Sequence, residues 1–356
     1  MEFIYAAQPS RVVFGAGASR HIEREIDLLG ARRALILSTP EQAGQAEALA
    51  ARLGSRVAGV FAKAMMHVPI ETAQEARETA QRLRADCAIA IGGGSTTGLG
   101  KAIALVSELP ILAIPTTYAG SEMTPIYGLT EGGIKRTGRD ARVLPKSVIY
   151  DPELTLGLPM GLSVTSGMNA IAHAAEGLYA QDGNPIMALM AEEGIRAMAA
   201  ALPRLRADGA DLVARSDALY GAWLSGMVLG NVGMALHHKL CHTLGGSFNL
   251  PHAAVHTVVL PHAIAFNAEA APAAMHRIER ALGVEGRRSA AQALYDLARD
   301  NAAPIALRDI GMDESDLDHA ADLACSNPYW NPRPIGFEQR AELRALLQRA
   351  YDGVRP

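Results

Sequence analysis

The chain has 356 residues, 49% hydrophobic and 20% charged, with a formal net charge of −4. That length suits two domains of ordinary size, and the composition supports a sizeable core and excludes a disordered chain. The nearly balanced charge excludes a strongly basic binder of nucleic acid or of a membrane surface.

In chain order, Phe3–Phe14 reads as an added strand or hairpin. Arg33–Ser38, Asp86–Ile91, Ile111–Ile114 and Ser147–Tyr150 are short, continuously apolar runs. Strands without alternation belong to a sheet covered on both faces, hence parallel. Between them, Glu41–Leu53, Glu71–Arg84 and Leu99–Ser107 carry apolar positions at helical spacing. This βαβ series predicts a doubly wound, Rossmann-like α/β domain over residues 1–157. Beyond Asp151-Pro152 and Leu158-Pro159 strand signals fade. Helical patterns follow over Met168–Tyr179, Ile186–Leu202, Leu212–Leu229, Met234–Leu244 and Ala254–Phe266. They continue over Ala270–Leu282, Ser289–Ala298, Asp313–Ala324 and Phe337–Tyr351, predicting an all-α domain over residues 158–356. A cleft between two such domains is the default seat of a ligand.

Cys87, Cys241 and Cys325 are odd in number, and no two stand at metal-ligand spacing. No disulfide framework is expected. Glu2 stands where a signal peptide needs a basic residue, and no run approaches the ~20 apolar residues of a membrane span. The expectation is a cytoplasmic protein with neither a membrane nor a nucleic-acid partner.

Three patterns carry chemistry. Gly92-Gly93-Gly94-Ser95-Thr96-Thr97 follows a predicted strand and opens a helix. Glycines there permit close backbone approach, and the helix N-terminus favours a phosphate, although the spacing is not G-x-G-x-x-G. A tight strand-to-helix turn without a ligand explains the pattern equally well. The hydroxyl-rich stretch Pro115–Thr124 follows another buried strand. Two such loops at the carboxyl ends of parallel strands mark a switch point where nucleotides bind. Six of the eleven histidines, His237, His238, His242, His252, His256 and His262, then fall within one short region. His238 and His242, like Asn169 and His173 upstream, are four residues apart and share a helix face. A face of this kind binds a metal or moves protons, and the spacing does not choose between them.

Taken together, Gly-Gly-Gly-Ser, Pro-Thr-Thr…Gly-Ser-Glu-Met-Thr, Asp-Pro…Leu-Pro, Ser-Gly-Met-x-Ala-x-x-His and His-x-x-x-His-x-Leu-Gly-Gly…Pro-His resemble the iron-containing alcohol dehydrogenase superfamily, with its dehydroquinate synthase-like fold. Gly92–Ala104, Pro115–Gly128, Lys135–Asp140 and Asn327–Pro334 resemble its maleylacetate reductase branch. The resemblance implies reduction of 2-maleylacetate, a small dicarboxylate, to 3-oxoadipate by NADH or NADPH in aromatic-compound breakdown, and a homodimer. It implies a nucleotide seat at Ser38, Thr39, Gly93, Gly94, Ser95, Thr116, Thr117, Tyr118, Ser121, Thr124 and Lys135. Metal-dependent relatives hold their ion with one Asp and three His. Here the Asp position is Asn169, while His173, His238 and His252 match the histidines. Asn adds no charge to offset a cation, so no metal is expected to be required. Gly98 also departs, standing where relatives carry Asp, and Thr39 replaces the Asp of NAD-restricted relatives, so both nucleotides are expected to be accepted.

Hydride addition to the alkene carbon remote from the ketone leaves charge on the ketone oxygen, which imidazoles can stabilise as well as a metal can. His238, His242, His252 and His173 are the catalytic candidates, with Asn169, Lys239, Arg333 and Tyr118 toward substrate. The alternatives are a metal-dependent alcohol or glycerol-type dehydrogenase, a lyase of the dehydroquinate synthase type, and a non-catalytic nucleotide sensor.

Overall fold

The computed structural model describes residues 3, 5, 6, 10–132 and 134–356, with backbone alone at Ile134 and Lys135. Two compact units emerge, one ending at Leu158 and the other spanning Pro159–Pro356.

The first unit is built on a parallel six-stranded sheet. Its strands are β1 (Arg11–Phe14), β2 (Ala34–Leu37), β3 (Val57–Phe61), β4 (Cys87–Gly92), β5 (Ile111–Pro115) and β8 (Ser147–Tyr150), in the order β1-β8-β5-β4-β2-β3. Alternation along the buried strands feeds two cores. Ala34, Ile36, Cys87, Ile89, Ile91, Leu112 and Ile114 pack with α1 (Ile22–Leu28) and α2 (Ala43–Leu53) on one face. Leu35, Leu37 and Ala88 pack with α3 (Ile70–Arg82) and α4 (Gly94–Ser107) on the other. Both faces are therefore covered, which is why these strands are apolar throughout. From β2 the chain goes outward to β3 and then crosses back to β4 on the other side. The carboxyl ends of β2 and β4 thus flank a switch point.

Two features differ from the expectation. β3 was not foreseen: it is a partly exposed edge strand containing Gly59, so it lacks a continuous apolar signal. An antiparallel hairpin, β6 (Ile126–Glu131) and β7 (Ile134–Arg139), lies outside the main sheet. Of the expected N-terminal strand only Arg11–Phe14 forms, and part of the stretch before it lies outside the described residues.

The second unit is helical: α5 (Met160–Gly177), α6 (Pro185–Ala207), α7 (Leu212–Asn231), α8 (Leu236–Ser247), α9 (His252–Asn267), α10 (Pro272–Ala281), α11 (Ala290–Asp300), α12 (Leu317–Ser326) and α13 (Arg340–Asp352). Local chemistry starts several of them. Asn184 caps α6 by accepting the Met187 N–H, with Pro185 in the first turn, and Asp211 caps α7 through Val213 and Ala214. Helices α6 and α7 approach closely at Gly194 and Gly221, where a Cβ on Gly221 would lie 3.0 Å from the Gly194 carbonyl oxygen. Leu236, Leu240 and Leu244 of α8 pack with Val255, Val258 and Val259 of α9 and with residues of α12 and α13 in one core. Burying the apolar faces of α8 and α9 there leaves their histidines to meet α5. Among the described residues no single helix is long and apolar enough to cross a membrane.

Candidate active site

At the switch point, Gly92 ends β4 at φ 151°, and a Cβ there would meet the Thr96 Oγ1 at 2.5 Å and the Gln42 Oε1 at 2.8 Å. Gly93 caps α4 with no side-chain cap, and Gly93, Gly94 and Ser95 are half-buried. The opening N–H groups of α4 therefore await an acceptor. Ser38, at the end of β2, is buried with its Oγ lacking a partner, as is the Thr96 Oγ1. Thr39 follows Ser38; the Glu41 backbone N–H and then the Thr39 side chain bond the exposed Glu41 carboxylate and hold it below the usual range. Thr116 accepts from the Gln42 Nε2 at 2.9 Å, and Thr117 is half-buried over Gly93.

Other residues assigned to the nucleotide have structural work. Fully buried Lys101 of α4 donates to the Ser121 carbonyl (2.6 Å), the Thr124 Oγ1 (2.9 Å) and the Ile126 carbonyl (2.7 Å). It thereby pins the loop after β5. Burial pulls the Lys101 amine down to about 7, against buried Glu122. Tyr118, expected to reach cofactor and substrate, is fully buried. The Lys135 side chain lies outside the described residues. Gly98 has a physical reason: a Cβ there would lie 2.9 Å from the Cγ2 of Val68, which is itself held at φ 47°.

In the helical unit, α5 supplies Asn169, His173 and Glu176, α8 supplies His237, His238 and His242, and α9 supplies His252 and His256. The rings form a contiguous cluster. Centroids are 5.1 Å apart for His173 and His238, 5.0 Å for His238 and His256, 6.0 Å for His238 and His242, and 4.3 Å for His252 and His256. Glu176, fully buried, accepts the His238 Nδ1 at 2.7 Å and the backbone N–H groups of Ala235 (2.8 Å) and His237 (2.7 Å). Desolvation raises its carboxyl, but the bond from His238 and the nearby imidazoles outweigh it and hold the group low. Burial, then the neighbouring imidazoles, drive His173 and His256 well below the ordinary histidine value, and His237 falls to about 4. Five buried side-chain atoms of the cluster have no hydrogen-bond partner: Asn169 Oδ1, His173 Nδ1, His238 Nε2 and both ring nitrogens of His256. His242 meets the Tyr329 hydroxyl at 2.9 Å through its Nδ1.

The expected substrate cations are not brought into this cluster. Lys239 is turned one residue off the His238 face, half-buried near Cys325 of α12. Arg333 stacks on the Phe266 ring (4.2 Å), donates to the Phe266 carbonyl and pairs with Glu342, so its guanidinium is already engaged. Glu176, Tyr329 and Gln42 were missed. Tyr329 stands inside the family-like stretch Asn327–Pro334, and Glu176 with Asn169 and His173 completes a polar stripe at helical spacing on an Ala-rich helix.

A model of iron-containing alcohol dehydrogenase matches residues 9–152, and a model of the C-terminal part of the Fe-containing alcohol dehydrogenase family matches residues 163–351. The chain belongs to the iron-containing alcohol dehydrogenase family. It is 66% identical, over 99% of both chains, to a maleylacetate reductase of Burkholderia cepacia. It is 57% identical, over 100% of this chain and 99% of the relative, to one of Sphingobium indicum. A crystal structure of maleylacetate reductase from Agrobacterium tumefaciens superposes with a TM-score of 0.95 at 55% identity, covering all of both chains.

The family name implies iron, and the donor set fits it poorly. The four positions that the sequence resemblance assigns to a metal hold Asn169 and the imidazoles of His173, His238 and His252, none of them anionic. Donor atoms converge in the triplets Glu176–His237–His238 and His237–Cys241–His256. Yet the Glu176 oxygens already accept N–H groups, and burial pushes the Cys241 thiol well up, away from the thiolate. Three imidazoles can hold zinc, but a non-haem iron site takes a carboxylate beside its imidazoles, and these sets offer none that is free.

Proposed function

We propose that the protein reduces the conjugated double bond of 2-maleylacetate to give 3-oxoadipate, using NADH or NADPH and no metal ion. The full-length likeness to maleylacetate reductases carries this reading, and the uncharged Asn169 beside a buried imidazole cluster supports it. Bound at the switch point, the nicotinamide nucleotide supplies the hydride. Ser38, the opening turn of α4 and Thr116 offer donors for its ribose and phosphates. The imidazoles do what a metal does in relatives: they face the ketone oxygen and stabilise the enolate charge that gathers there. His238, with its buried Nε2, is the central donor, and His173, His252 and Asn169 shape the wall around it. His242, backed by the Tyr329 hydroxyl, is placed to relay the proton that completes the saturated carbon. The exposed Glu41 carboxylate beside Thr39 tilts the preference toward NADH without excluding the 2′-phosphate. The working form is a cytoplasmic homodimer.

Loss of NADH absorbance on adding maleylacetate tests the reading. Turnover should persist after exhaustive chelation. Activity lost to chelator and restored by iron or zinc points instead to a metal-dependent dehydrogenase. Tightly retained NAD with no net oxidation of NADH points to a lyase.

A further inference from the structure

Glu176 was named by no motif, yet its carboxylate is the most heavily used acceptor in the imidazole cluster. Helix α8 begins at Ala235 without any side-chain cap of its own. Glu176 reaches across from α5 to supply it, with Oε2 on the Ala235 N–H (2.8 Å) and Oε1 on the His237 N–H (2.7 Å). A negative charge at a helix N-terminus is favourably placed, so the carboxylate is held rigidly. Oε2 also takes the His238 N–H at a longer 3.4 Å, and its bond of 2.7 Å to the His238 Nδ1 is that of a charge-assisted pair.

The proton positions follow from which groups can donate. A carboxylate only accepts, so the His238 Nδ1 carries hydrogen. The other group near that nitrogen is the His237 Nδ1, at 3.3 Å. The His237 Nε2 lies 3.0 Å from the His256 carbonyl, which also only accepts. His237 is therefore protonated on Nε2 and bare on Nδ1, and it cannot donate to His238. Every neighbour of the His238 Nδ1 demands a donor there. The second nitrogen, Nε2, is buried and has no partner.

We propose that Glu176 is a positioning residue: it locks His238 with hydrogen on Nδ1, so that Nε2 is the one nitrogen that meets substrate oxygen and exchanges a proton. This rests on the reading above, in which His238 handles the ketone oxygen. An Nε2 hydrogen bonds that oxygen while the carboxylate behind the ring balances the imidazolium. With the opposite tautomer, Nδ1 would present a lone pair to a carboxylate, and the pair would repel. The arrangement has the logic of the acid–imidazole pair in hydrolytic triads, where the buried acid fixes the tautomer without itself taking the proton.

Glu176→Gln tests it. With the amide oxygen kept on the His237 N–H, the amide nitrogen takes the place of Oε2, where it loses the Ala235 N–H, faces the His238 Nδ1 and needs an acceptor. The His238 proton should move to Nε2. The expected kcat with maleylacetate falls on the order of 10²–10⁴-fold. KM for maleylacetate and for NADH should stay within about threefold, since the loss is confined to the transition state. Nitrogen NMR of histidine-labelled protein, with the His238 signal assigned by its absence in His238→Asn, reads the tautomer directly. Wild-type protein should show hydrogen on Nδ1, and Glu176→Gln should show the neutral Nε2–H form. Glu176→Asp, which keeps the acceptor, should retain the wild-type tautomer and an intermediate kcat.

A wild-type His238 found as the neutral Nε2–H tautomer overturns the proposal, even if Glu176→Gln fails to fold. So does a folded Glu176→Gln enzyme whose kcat stays within about threefold of wild type. If wild-type protein consumes no NADH with maleylacetate, the functional reading fails, and the tautomer measurement still judges Glu176 by itself.

Discussion

The proposal that this site works without an ion turns on Asn169. Its side chain is 4% exposed and its Oδ1 has no partner. A carboxylate at that position would be a buried charge with no donor, unless a cation or a protonated imidazole came to it. Asn169→Asp is therefore expected to lose about 1–3 kcal/mol of stability in chelator. Zinc or ferrous iron should restore much of that loss, and wild-type melting should respond far less to either ion. Thermal melts of both proteins in chelator and in metal check this, and equal metal responses would remove the role given to Asn169. The histidines were legible because six crowd one region, and Asn169 because it breaks a known pattern. Glu176 shows only as the third member of the Asn169–His173 stripe; nothing in the sequence says that it will be buried in this cluster, since its partners lie some sixty residues away. Arg333 misled for the same reason. Its sequence shows a cation near a family motif, while Phe266 and Glu342, which engage it, are brought there only by packing.

At the scale of elements, the glycine loop separates folding from binding. Gly92 is fixed by the fold, with a left-handed-side φ and no room for a Cβ. Gly94 has ordinary backbone, and its Cβ would sit 3.5 Å from that of Ala119, a normal contact. Gly94→Ala is expected to fold with unchanged or slightly raised stability, since Ala is the better helix former by up to about 1 kcal/mol. It should weaken NADH by about tenfold or more, because the methyl stands where the backbone must approach a phosphate. NADH fluorescence titration measures this, and an unchanged affinity would argue that the nucleotide lies elsewhere. Gly92→Ala should instead lose stability. The elements flanking this loop were the easiest to foresee, for the central strands are apolar on both faces. The start of α4 was placed too late, at Leu99, because Gly94-Ser95-Thr96-Thr97-Gly98 has poor helix propensity and is held by packing. β3 and the β6–β7 hairpin were lost because edge and exposed strands carry mixed, short patterns.

For the whole molecule, the imidazole-rich interior predicts a narrow window of acid instability. His237 and His262 each fall from the ordinary value of 6.5 to about 4, chiefly through burial, and His173 and His256 lie well below 6.5 for the same reason. Below pH 6.5 the unfolded chain binds these protons and the folded chain does not, so stability falls as pH drops from 6.5 toward 4. Each residue contributes at most about 1.4 kcal/mol per pH unit in that window. Other shifted groups act elsewhere. Asp296, pulled down to about 2 by Arg355 and, against desolvation, Arg288, keeps its contribution until pH falls below its unfolded value of 3.8. Lys101, lowered to about 7 from 10.5, costs stability as pH falls from 10.5 to 7, above this window. Burial raises Glu122, which works in the opposite sense and offsets part of the loss. Urea unfolding at intervals from pH 7 to 4.5 should give a slope worth several protons. His262→Leu, removing a buried ring whose nitrogens have no hydrogen-bond partner, should flatten that slope by about one proton and leave turnover near wild type. Stability independent of pH between 7 and 5 would mean that these imidazoles are hydrated or already charged, and that the cluster is not the neutral reservoir its burial implies.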